Sequence, residues 1–430
     1  MNRFREYSAL LPLCIFFLLY AVTWLCTGEM ENMPVSVAFL VASVVAVLLM
    51  RGPGLSARIE IFCNGAANQT IMLMIVIFVL AGAFAGTAKA MGAVDATVNM
   101  ALCFLPQSMI PASIFVASCF VSMAMGTSCG TIAALTPIAV GLSAQTDIGL
   151  PMMVGIVVGG AMFGDNLSFI SDTTIVATRT QGCRMKDKFK VNLLIVLPAA
   201  VVTLGIYIFS SGASAPVAAA EIEWLRVIPY IVVLVTALAG VNVMTVLLTG
   251  ILLSGIAGIL TSGFTVWEWA AASGKGIVVD MGELIIVSLL AGGLFETIRF
   301  NGGIDRLIQK LSQNIRSKRR AEASVAGLVT LTDLCTANNT IALIITGPIA
   351  KQIGDKFGID NRRMASLLDT FSCFAQGMIP YGAQLLIASG LSNLNPMAII
   401  PFLYYPFLLG IAAIVAIIFQ YPRKYTSGQA

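Results

Sequence analysis

The second half of this 430-residue chain repeats the first half at a displacement of about 210 residues. Residues 80–95 read LAGAFAGTAKAMGAVD, residues 290–305 read LAGGLFETIRFNGGID, and six of these sixteen positions are identical. A nearly constant offset that includes Gly, Thr and Asp positions is not what biased composition alone produces. Duplicated halves of an apolar chain favour a membrane transporter whose site lies between the repeats. The further pairs that this offset predicts are Thr127 with Thr336, Thr131 with Thr340, and Pro137 with Pro348.

The amino-acid composition excludes a water-soluble domain. Hydrophobic residues make up 58% of the chain and charged residues 11%, whereas soluble domains contain about 25% charged residues. We therefore expect a multi-pass protein of the cell membrane, embedded in the lipid bilayer. The net charge of +4 comes from basic residues in loops between apolar segments, which argues against a nucleic-acid partner. Nine scattered cysteines without a CxxC pair argue against zinc and disulfides, and the absence of histidine leaves proton handling to carboxylates.

Apolar segments long enough to cross a bilayer recur along the chain. Two further stretches, 108–143 and 320–352, are interrupted by small polar residues and predict re-entrant hairpins. Because five crossings per half is an odd number, the second half must be inverted relative to the first. The predicted fold is an all-α polytopic membrane protein with broken helices, made of two inverted repeats of five transmembrane helices plus one re-entrant hairpin each. The repeats are residues 1–211 and 224–430, joined by a linker at 212–223. The predicted crossings are 8–27, 34–50, 70–88, 151–180, 189–211, 224–240, 242–262, 280–299, 362–390 and 396–420.

The positively charged loops determine the expected orientation. With the N-terminus inside, all but three of the 25 Lys and Arg residues lie on the cytoplasmic side. The basic loops at 184–190 and 316–320 decide the assignment, which is N-in and C-in. Residues 304–315 show apolar positions at helical spacing, which predicts a helix in the interface plane or an ordinary cytoplasmic loop helix.

A cluster of polar residues, FGDNLSFISDTT at 163–174, interrupts an otherwise apolar crossing. Charged groups at mid-bilayer cost at least about 2.5–3.5 kcal/mol on insertion scales, so they persist where they function or are paired. Gly164 and the following polar run predict an unwound helix that offers carbonyls to a cation and a half-helix N-terminus to an anion. Hard oxygen ligands suit Na⁺ or a proton. The alternative is a conventional loop between two short helices. The polar side chains are those of Asp165, Asn166, Ser168, Ser171, Asp172, Thr173 and Thr174.

The equivalent segment of the second half, AQGMIPYGAQ at 375–384, is predicted to be broken as well. Gly377, Pro380 and Gly382 permit a turn there and leave a carbonyl unpaired. Before the break, four polar residues recur at helical spacing, which predicts one polar face directed at protein or water. These residues are Asp369, Ser372, Cys373 and Gln376.

The tips of the two predicted hairpins carry the remaining polar groups. GTSCGT at 126–131 marks the first tip and CTANNT at 335–340 marks the second. Their hydroxyls and amides could hold a carboxylate or an ion from the opposite side of the midplane, or alternatively cap helices. Asp333 is expected to belong to the site or to a salt bridge, and Glu296 with Arg299 to form a structural ion pair.

The segment GDNLSFISDTT resembles the signature GDxxSPxSDTT of the NhaC family of sodium/proton antiporters, which belongs to the ion transporter superfamily. The resemblance covers essentially the whole chain through its repeat and paired hairpins. It implies that Asp165 and Asp172 match the signature aspartates and that Ser168, Ser171, Thr173 and Thr174 match its hydroxyls. It also implies hairpins that move against the remaining spans, in a homodimer. The family includes sodium/proton exchangers, sodium-lactate/malate-proton exchangers and presumed amino-acid permeases.

Two positions depart from the signature of the antiporter members. Asn166 stands where they have Lys, and Phe169 stands where they have Pro. The continuation TIVATRTQGC with the downstream KDKF resembles the presumed amino-acid permease branch. On this basis we expect two negative charges with no built-in cation nearby, so that a second Na⁺ or the ammonium group of a substrate supplies the missing charge.

The sequence therefore predicts a cation-coupled secondary active transporter of the Na⁺/H⁺ antiporter type with alternating access. Na⁺ and a proton would compete for Asp165 and Asp172, as coupling ions without any cofactor. The alternative is a Na⁺- or H⁺-coupled permease for amino acids or organic anions. An intramembrane aspartyl enzyme requires GxGD, where Met162 occupies the first Gly position, and two closed half-sites argue against a passive channel. The predicted ion-binding residues are Asp165, Asp172, Ser168, Ser171 and Thr173; the predicted substrate-binding residues are Thr127, Ser128, Thr131, Asn166, Asn338, Asn339, Thr340 and Gln376; Asp333 and Asp369 are candidate additional acids.

Overall fold

The computed structural model is helical throughout the residues that it describes. These are residues 11–27, 33–50, 52–104, 107–168, 171–210, 223–239, 241–261, 263–302 and 315–425. The predicted linker 212–223 lies outside this part except for its last residue. The predicted interfacial helix 304–315 lies outside it in the same way.

Ten helices make up the described part of the first half. They are α1 (Leu11–Thr27), α2 (Val35–Leu49), α3 (Leu55–Ala66), α4 (Gln69–Ala90), α5 (Ala93–Phe104), α6 (Ile110–Met125), α7 (Ser128–Ala144), α8 (Leu150–Leu167), α9 (Asp172–Gln181) and α10 (Met185–Ser210).

The described part of the second half contains ten further helices. Its helices are α11 (Trp224–Leu238), α12 (Val243–Thr261), α13 (Val266–Lys275), α14 (Gly282–Phe300), α15 (Lys318–Thr336), α16 (Asn339–Phe357), α17 (Asn361–Gln376), α18 (Ala383–Ser392), α19 (Pro396–Ile399) and α20 (Tyr404–Ile418). The starts of α7, α8 and α9 recur 211 residues later as the starts of α16, α17 and α18.

The helix boundaries follow the predicted apolar segments closely. Four segments of the described chain are long and apolar enough to cross a membrane: Ile71–Ala90, Leu150–Gln181, Met185–Phe209 and Val243–Thr261. A fifth results if α18 and the segment Pro396–Phe402, which meet at a bend of 98°, count as one span. Further apolar helices are shorter, at 10–17 residues. Large apolar side chains such as Leu25, Phe209 and Trp267 remain 76%, 90% and 83% exposed, which suits contact with lipid rather than water.

Both predicted hairpins are helix–turn–helix units. In the first, α6 ends at Gly126, whose φ of +69° lies in the left-handed region, and Thr127 precedes α7. In the second, Ala337 has a φ of +50° at the end of α15, and Asn338 precedes α16. The left-handed residues are therefore 211 positions apart. The pairing of Thr127 with Thr336 and of Thr131 with Thr340, which uses an offset of 209, is wrong by two residues, whereas Pro137 and Pro348 lie inside corresponding helices.

The two halves interlock through two glycine contacts that repeat 210 or 211 residues apart. Gly65 at the end of α3 faces Gly292 of α14 so closely that a Cβ on Gly65 would lie 2.5 Å from the Gly292 carbonyl oxygen. In the same way, a Cβ on Gly276, just after α13, would lie 2.0 Å from the carbonyl oxygen of Gly82 in α4. Small residues let membrane helices approach at backbone distance. This role explains why Gly82 and Gly292 are identical in the sequence repeat.

A buried ion pair connects the second hairpin to the helices that pack against it. Arg363 of α17 donates two hydrogen bonds to the carboxylate of Glu322 in α15, at 3.0 and 3.1 Å, and both side chains are fully buried. Arg363 also donates to the carbonyl oxygens of Ala416 in α20 and of Tyr421, three residues beyond the end of that helix. The pair therefore fastens α15, α17 and the last long helix to one another.

Candidate functional site

Ten of the fifteen predicted site residues line one cavity of about 120 Å³. Both hairpin tips, both breaks in the helices and one face of α4 line this central cavity. At about 30 Å³ per water molecule in the liquid, this volume holds roughly four waters, which suits a partly hydrated ion or a small solute. The predicted site residues among the lining are Thr127, Ser128, Asp165, Ser171, Asp172, Thr173, Asn338, Asn339, Thr340 and Gln376.

Close packing of α6 against α8 places Asp165 at the tip of the first hairpin. Ser122 of α6 donates a hydrogen bond of 2.7 Å to the carbonyl oxygen of Ala161 in α8, and Gly164 packs directly on Ser122. One turn further on, Asp165 accepts a hydrogen bond of 3.0 Å from the backbone N–H of Ser128. Asp165 is 4% exposed. An ionised carboxylate at such a depth needs hydrogen-bond donors or a bound cation.

A chain of hydrogen bonds, here called the amide relay, joins the two halves across the central cavity. Gln384 of α18 donates to the Ser128 hydroxyl at 2.9 Å and accepts from Gln376 at 2.7 Å. Gln376 in turn donates to the carbonyl oxygen of Ala337 at 3.3 Å. The amide relay thus runs from Asp165 through both hairpin tips and both sides of the second helix break. Sequence reasoning missed Gln384, although it lies 211 residues after Thr173.

The second signature carboxylate has a different environment. Asp172 is the first residue of α9 and is exposed, at the mouth of the central cavity. Its position in the first helical turn is favourable because the helix N-terminus carries a partial positive charge. The Ser171 and Thr173 hydroxyls, which lie 2.9 Å apart, complete this side of the cavity.

The asparagines of the second tip use their carbonyl groups as helix caps. Asn338 Oδ1 accepts a hydrogen bond from the backbone N–H of Ile341, and Asn339 Oδ1 accepts one from that of Thr340, both at 2.9 Å. Helix capping and cavity lining are therefore combined in the same side chains. At the first tip, Thr127 precedes α7 without a side-chain cap.

Five predicted residues do not line the central cavity. Ser168 donates to the carbonyl oxygen of Met123, and Thr131 donates to that of Thr127. Asn166 donates from its side-chain amide to the Met162 carbonyl oxygen and the Tyr405 hydroxyl, so this buried side chain does not line the central cavity. Asp333 and Asp369 are fully buried behind the cavity. Within the described residues, neither carboxyl oxygen of Asp333 has a hydrogen-bond partner.

The helix break lies later than predicted. α8 remains helical through Gly164, Asp165 and Asn166 to Leu167, and the chain leaves the helix only at Ser168. The physical reason is that Gly164 serves close packing against Ser122, for which helical geometry is required. The second break runs from Gly377 to Gly382, between α17 and α18, as predicted.

The expectation that no built-in cation lies near the carboxylates is wrong. Lys188 of α10 is 1% exposed, and its ammonium nitrogen lies 2.7 Å from Asp369 Oδ2 and 2.8 Å from the backbone carbonyl oxygen of Asn166. The sequence reading assigned Lys188 to a basic loop. Lys188 and Asn192 are four residues apart and so lie on one helix face, and both side chains contact Asp369. This spacing of two polar residues was the signal that could have identified Lys188.

A buried carboxylate in a polar cavity, between broken helices and hairpin tips of an apolar bundle, defines the class of secondary active transporters. No cluster of three or more His, Cys, Asp or Glu side chains that could hold a metal ion occurs in the described part of the chain. The model of the Na⁺/H⁺ antiporter family matches residues 6–212 and again residues 207–421, so the chain belongs to that family. The NhaC-type resemblance of the signature is thereby confirmed.

Characterised relatives span nearly the whole chain. The malate-2H⁺/Na⁺-lactate antiporter of Bacillus subtilis is 24% identical over 92% of this chain and 90% of its own length. The Na⁺/H⁺ antiporter NhaC of the same organism is 25% identical over 81% of this chain and 84% of its own. The arginine/ornithine antiporter ArcD of Halobacterium salinarum is 22% identical over 83% and 81%. The protein is thus a multi-pass membrane antiporter by family, with Na⁺ and H⁺ as the family's ions.

Proposed function

We propose that the protein exchanges Na⁺ for H⁺ and that Asp165 is the group that binds either ion. The observation that carries this proposal is the position of Asp165, which lines the central cavity and is 4% exposed. A carboxylate in this position is stable when it holds a proton or a cation, and it cannot hold both at once. Competition for one carboxylate gives obligatory exchange. Asp172, at the mouth, adds a second negative charge that attracts cations from water.

The amide relay supports alternating access between the halves. Its bond from Gln384 to Ser128 connects the second broken helix directly to the first hairpin tip. Opening of the cavity at this contact would break one neutral hydrogen bond, which costs about 0.5–1.5 kcal/mol net. A free-energy cost of this size is compatible with repeated opening of the contact. Movement of hairpins and broken helices against the remaining spans is therefore part of the proposal, as are the inverted orientation of the halves and the residue boundaries 1–211 and 224–430.

The test is Na⁺-driven proton flux in proteoliposomes that contain a trapped pH-sensitive dye. Asp165→Asn keeps the size of the side chain but removes its charge, and it should abolish the flux. Glu296→Gln is the matched control, since Glu296 forms a partly exposed ion pair with Arg299 at 3.5 Å, as predicted. Full Na⁺-driven flux in folded Asp165→Asn would remove this residue from the ion site.

A second candidate function is the coupled transport of an organic anion or amino acid. The observation that favours it is the number of amide side chains around the central cavity, whose N–H groups can donate to a carboxylate. The names of the malate/lactate and arginine/ornithine relatives are consistent with it. A fast, saturable pH change on adding Na⁺ without any organic solute would identify plain antiport, whereas a change that requires an added solute would identify the coupled permease. The amides concerned are Asn338, Asn339, Gln376 and Gln384.

The setting in the cell is part of the same proposal. The distribution of Lys and Arg supports the orientation N-in and C-in in the cell membrane. The family resemblance supports a homodimer. Crosslinking of the protein in native membranes, followed by denaturing electrophoresis, tests the dimer directly.

A further inference from the structure

The buried ammonium group of Lys188 is bound by three oxygen atoms, an arrangement here called the lysine site. Around it are Asp369 Oδ2 at 2.7 Å, the Asn166 backbone oxygen at 2.8 Å and Thr174 Oγ1 at 2.7 Å. An ammonium group has three donors, and these three oxygens satisfy all of them. Asn192 holds the arrangement in place, because its amide donates to both the Asn166 oxygen and Asp369 Oδ2.

The lysine site contains more oxygen atoms than Lys188 uses. Asn192 Oδ1 and Asp369 Oδ1, on two side chains that hydrogen-bond within the lysine site, are buried and have no hydrogen-bond partner among the described residues. Unpartnered buried acceptors are costly, and two on the side chains that surround one cation indicate a site richer in ligands than an ammonium group requires. One carboxylate with neutral carbonyl, amide and hydroxyl oxygens is the donor set that hard cations such as Na⁺ prefer.

The lysine site also lies directly behind the central cavity. Asp165 and Asn166 are adjacent in α8, with the Asp165 side chain on the cavity and the Asn166 carbonyl on Lys188. Asp369 is therefore linked through the Lys188 ammonium group to the residue that follows Asp165. Without the ammonium group, the charge of Asp369 would be uncompensated next to the transport site.

We propose that Lys188 is a tethered cation that fills a second cation site, and that its fixed charge sets how many Na⁺ ions the protein binds. That Asp165 forms the first cation site rests on the proposed function, whereas the lysine site is inferred independently of it. If Lys188 is replaced by a small neutral residue, Na⁺ takes the place of the ammonium group against Asp369. The number of bound Na⁺ ions then rises by one.

The test is equilibrium binding of radioactive Na⁺ to purified Lys188→Ala. One additional Na⁺ per protomer is expected relative to the unmutated protein, and removal of both charges in Lys188→Ala with Asp369→Asn should abolish the gain. Lys190→Ala is the matched control, because Lys190 lies on the same helix and is exposed. Unchanged Na⁺ stoichiometry in folded Lys188→Ala would overturn the proposal.

If Lys188→Ala is unstable without salt, thermal unfolding at increasing Na⁺ concentration provides a second measurement. The melting temperature of this variant should rise with Na⁺ concentration at constant ionic strength, well beyond the rise for Lys190→Ala, because Na⁺ binds only the folded state. A melting temperature that is insensitive to Na⁺ would show that a proton, not Na⁺, replaces the ammonium group. Repeating the binding measurement in the Asp165→Asn background separates the two proposals. The extra Na⁺ should persist there whether or not Asp165 is the transport carboxylate.

Discussion

Substitution of Gly164 by alanine tests the link between helix packing and the ion site. A Cβ at Gly164 would lie 2.2 Å from both Cβ and Oγ of Ser122 and 2.7 Å from the backbone nitrogen of Met123. Restoring an ordinary contact of 3.4 Å requires α8 and α6 to separate by about 1 Å. Overpacking of this kind lowers the free energy of unfolding by about 1–3 kcal/mol.

The same displacement should weaken Na⁺ binding. The Asp165–Ser128 hydrogen bond is 3.0 Å long, and a lengthening of about 1 Å takes it beyond hydrogen-bond distance. Hydrogen bonds to charged groups contribute about 1.5–3 kcal/mol, so the apparent Na⁺ affinity should fall roughly ten- to hundredfold. The backbone N–H then no longer stabilises the ionised carboxylate that binds Na⁺.

Two measurements on purified protein decide the outcome: unfolding in mixed SDS micelles and the Na⁺ dependence of proton flux in proteoliposomes. Gly205→Ala is the control, since a Cβ at Gly205 of α10 meets nothing within 4 Å. It should leave flux unchanged and raise stability by up to about 1 kcal/mol. Combining Gly164→Ala with Ser122→Gly should recover part of the loss. Wild-type stability and wild-type Na⁺ affinity in Gly164→Ala would refute the reasoning.

Three other outcomes follow from separate parts of the structure. Arg363→Met removes the counter-ion of the buried Glu322 carboxylate, which then keeps only the hydrogen bond from Gln420. It should lower the free energy of unfolding by about 3–5 kcal/mol in mixed micelles, and a loss below about 1 kcal/mol would contradict the structural role of the pair. Ala337→Gly removes a left-handed Cβ that costs about 1–2 kcal/mol, against about 0.5–1 kcal/mol of added chain entropy, so unfolding should show equal or slightly greater stability. In a cysteine-free background, an impermeant thiol reagent outside intact cells should label Asp147→Cys but not Arg184→Cys, and the reverse pattern would contradict the N-in orientation.

The course of the chain could be predicted because apolar runs end where charged, Gly and Pro residues begin. The predicted crossing 70–88 corresponds to α4, and both breaks fall in the predicted segments. The start of α10 shows the limit of this reasoning. Hydropathy places the crossing at 189–211, but the helix begins at Met185 because basic residues extend it beyond the apolar run. Lys188 was therefore assigned to a loop, and its burial depends on packing against Asp369, almost two hundred residues away.

The residues that line the site could largely be predicted, but the pairing of residues between the two halves could not. Ten lining residues were named from polar clusters, since polar groups persist inside a membrane only where they bind or pair. Their pairing between halves was judged by threonine identity, whereas the backbone is aligned by the left-handed residues Gly126 and Ala337. The segment 375–384, matched at an offset of 211, already aligned Gln384 with Thr173, but Gln384 was not named as a site residue. That Asn338 and Asn339 both bond the first N–H groups of α16 and also line the cavity depends on coordinates, not on residue type.

The interlocked glycine contacts have a consequence for how the protein is made in the cell. Gly65 and Gly82 leave the ribosome before their partners Gly292 and Gly276 have been synthesised. At about 5–20 residues per second, the delay is on the order of 10–40 s. During that time the backbone surfaces at Gly65 of α3 and Gly82 of α4 lack the segments that cover them in the folded protein. The first half therefore does not complete its packing on its own. A fragment that ends at the linker needs a second polypeptide to supply Gly276 and Gly292.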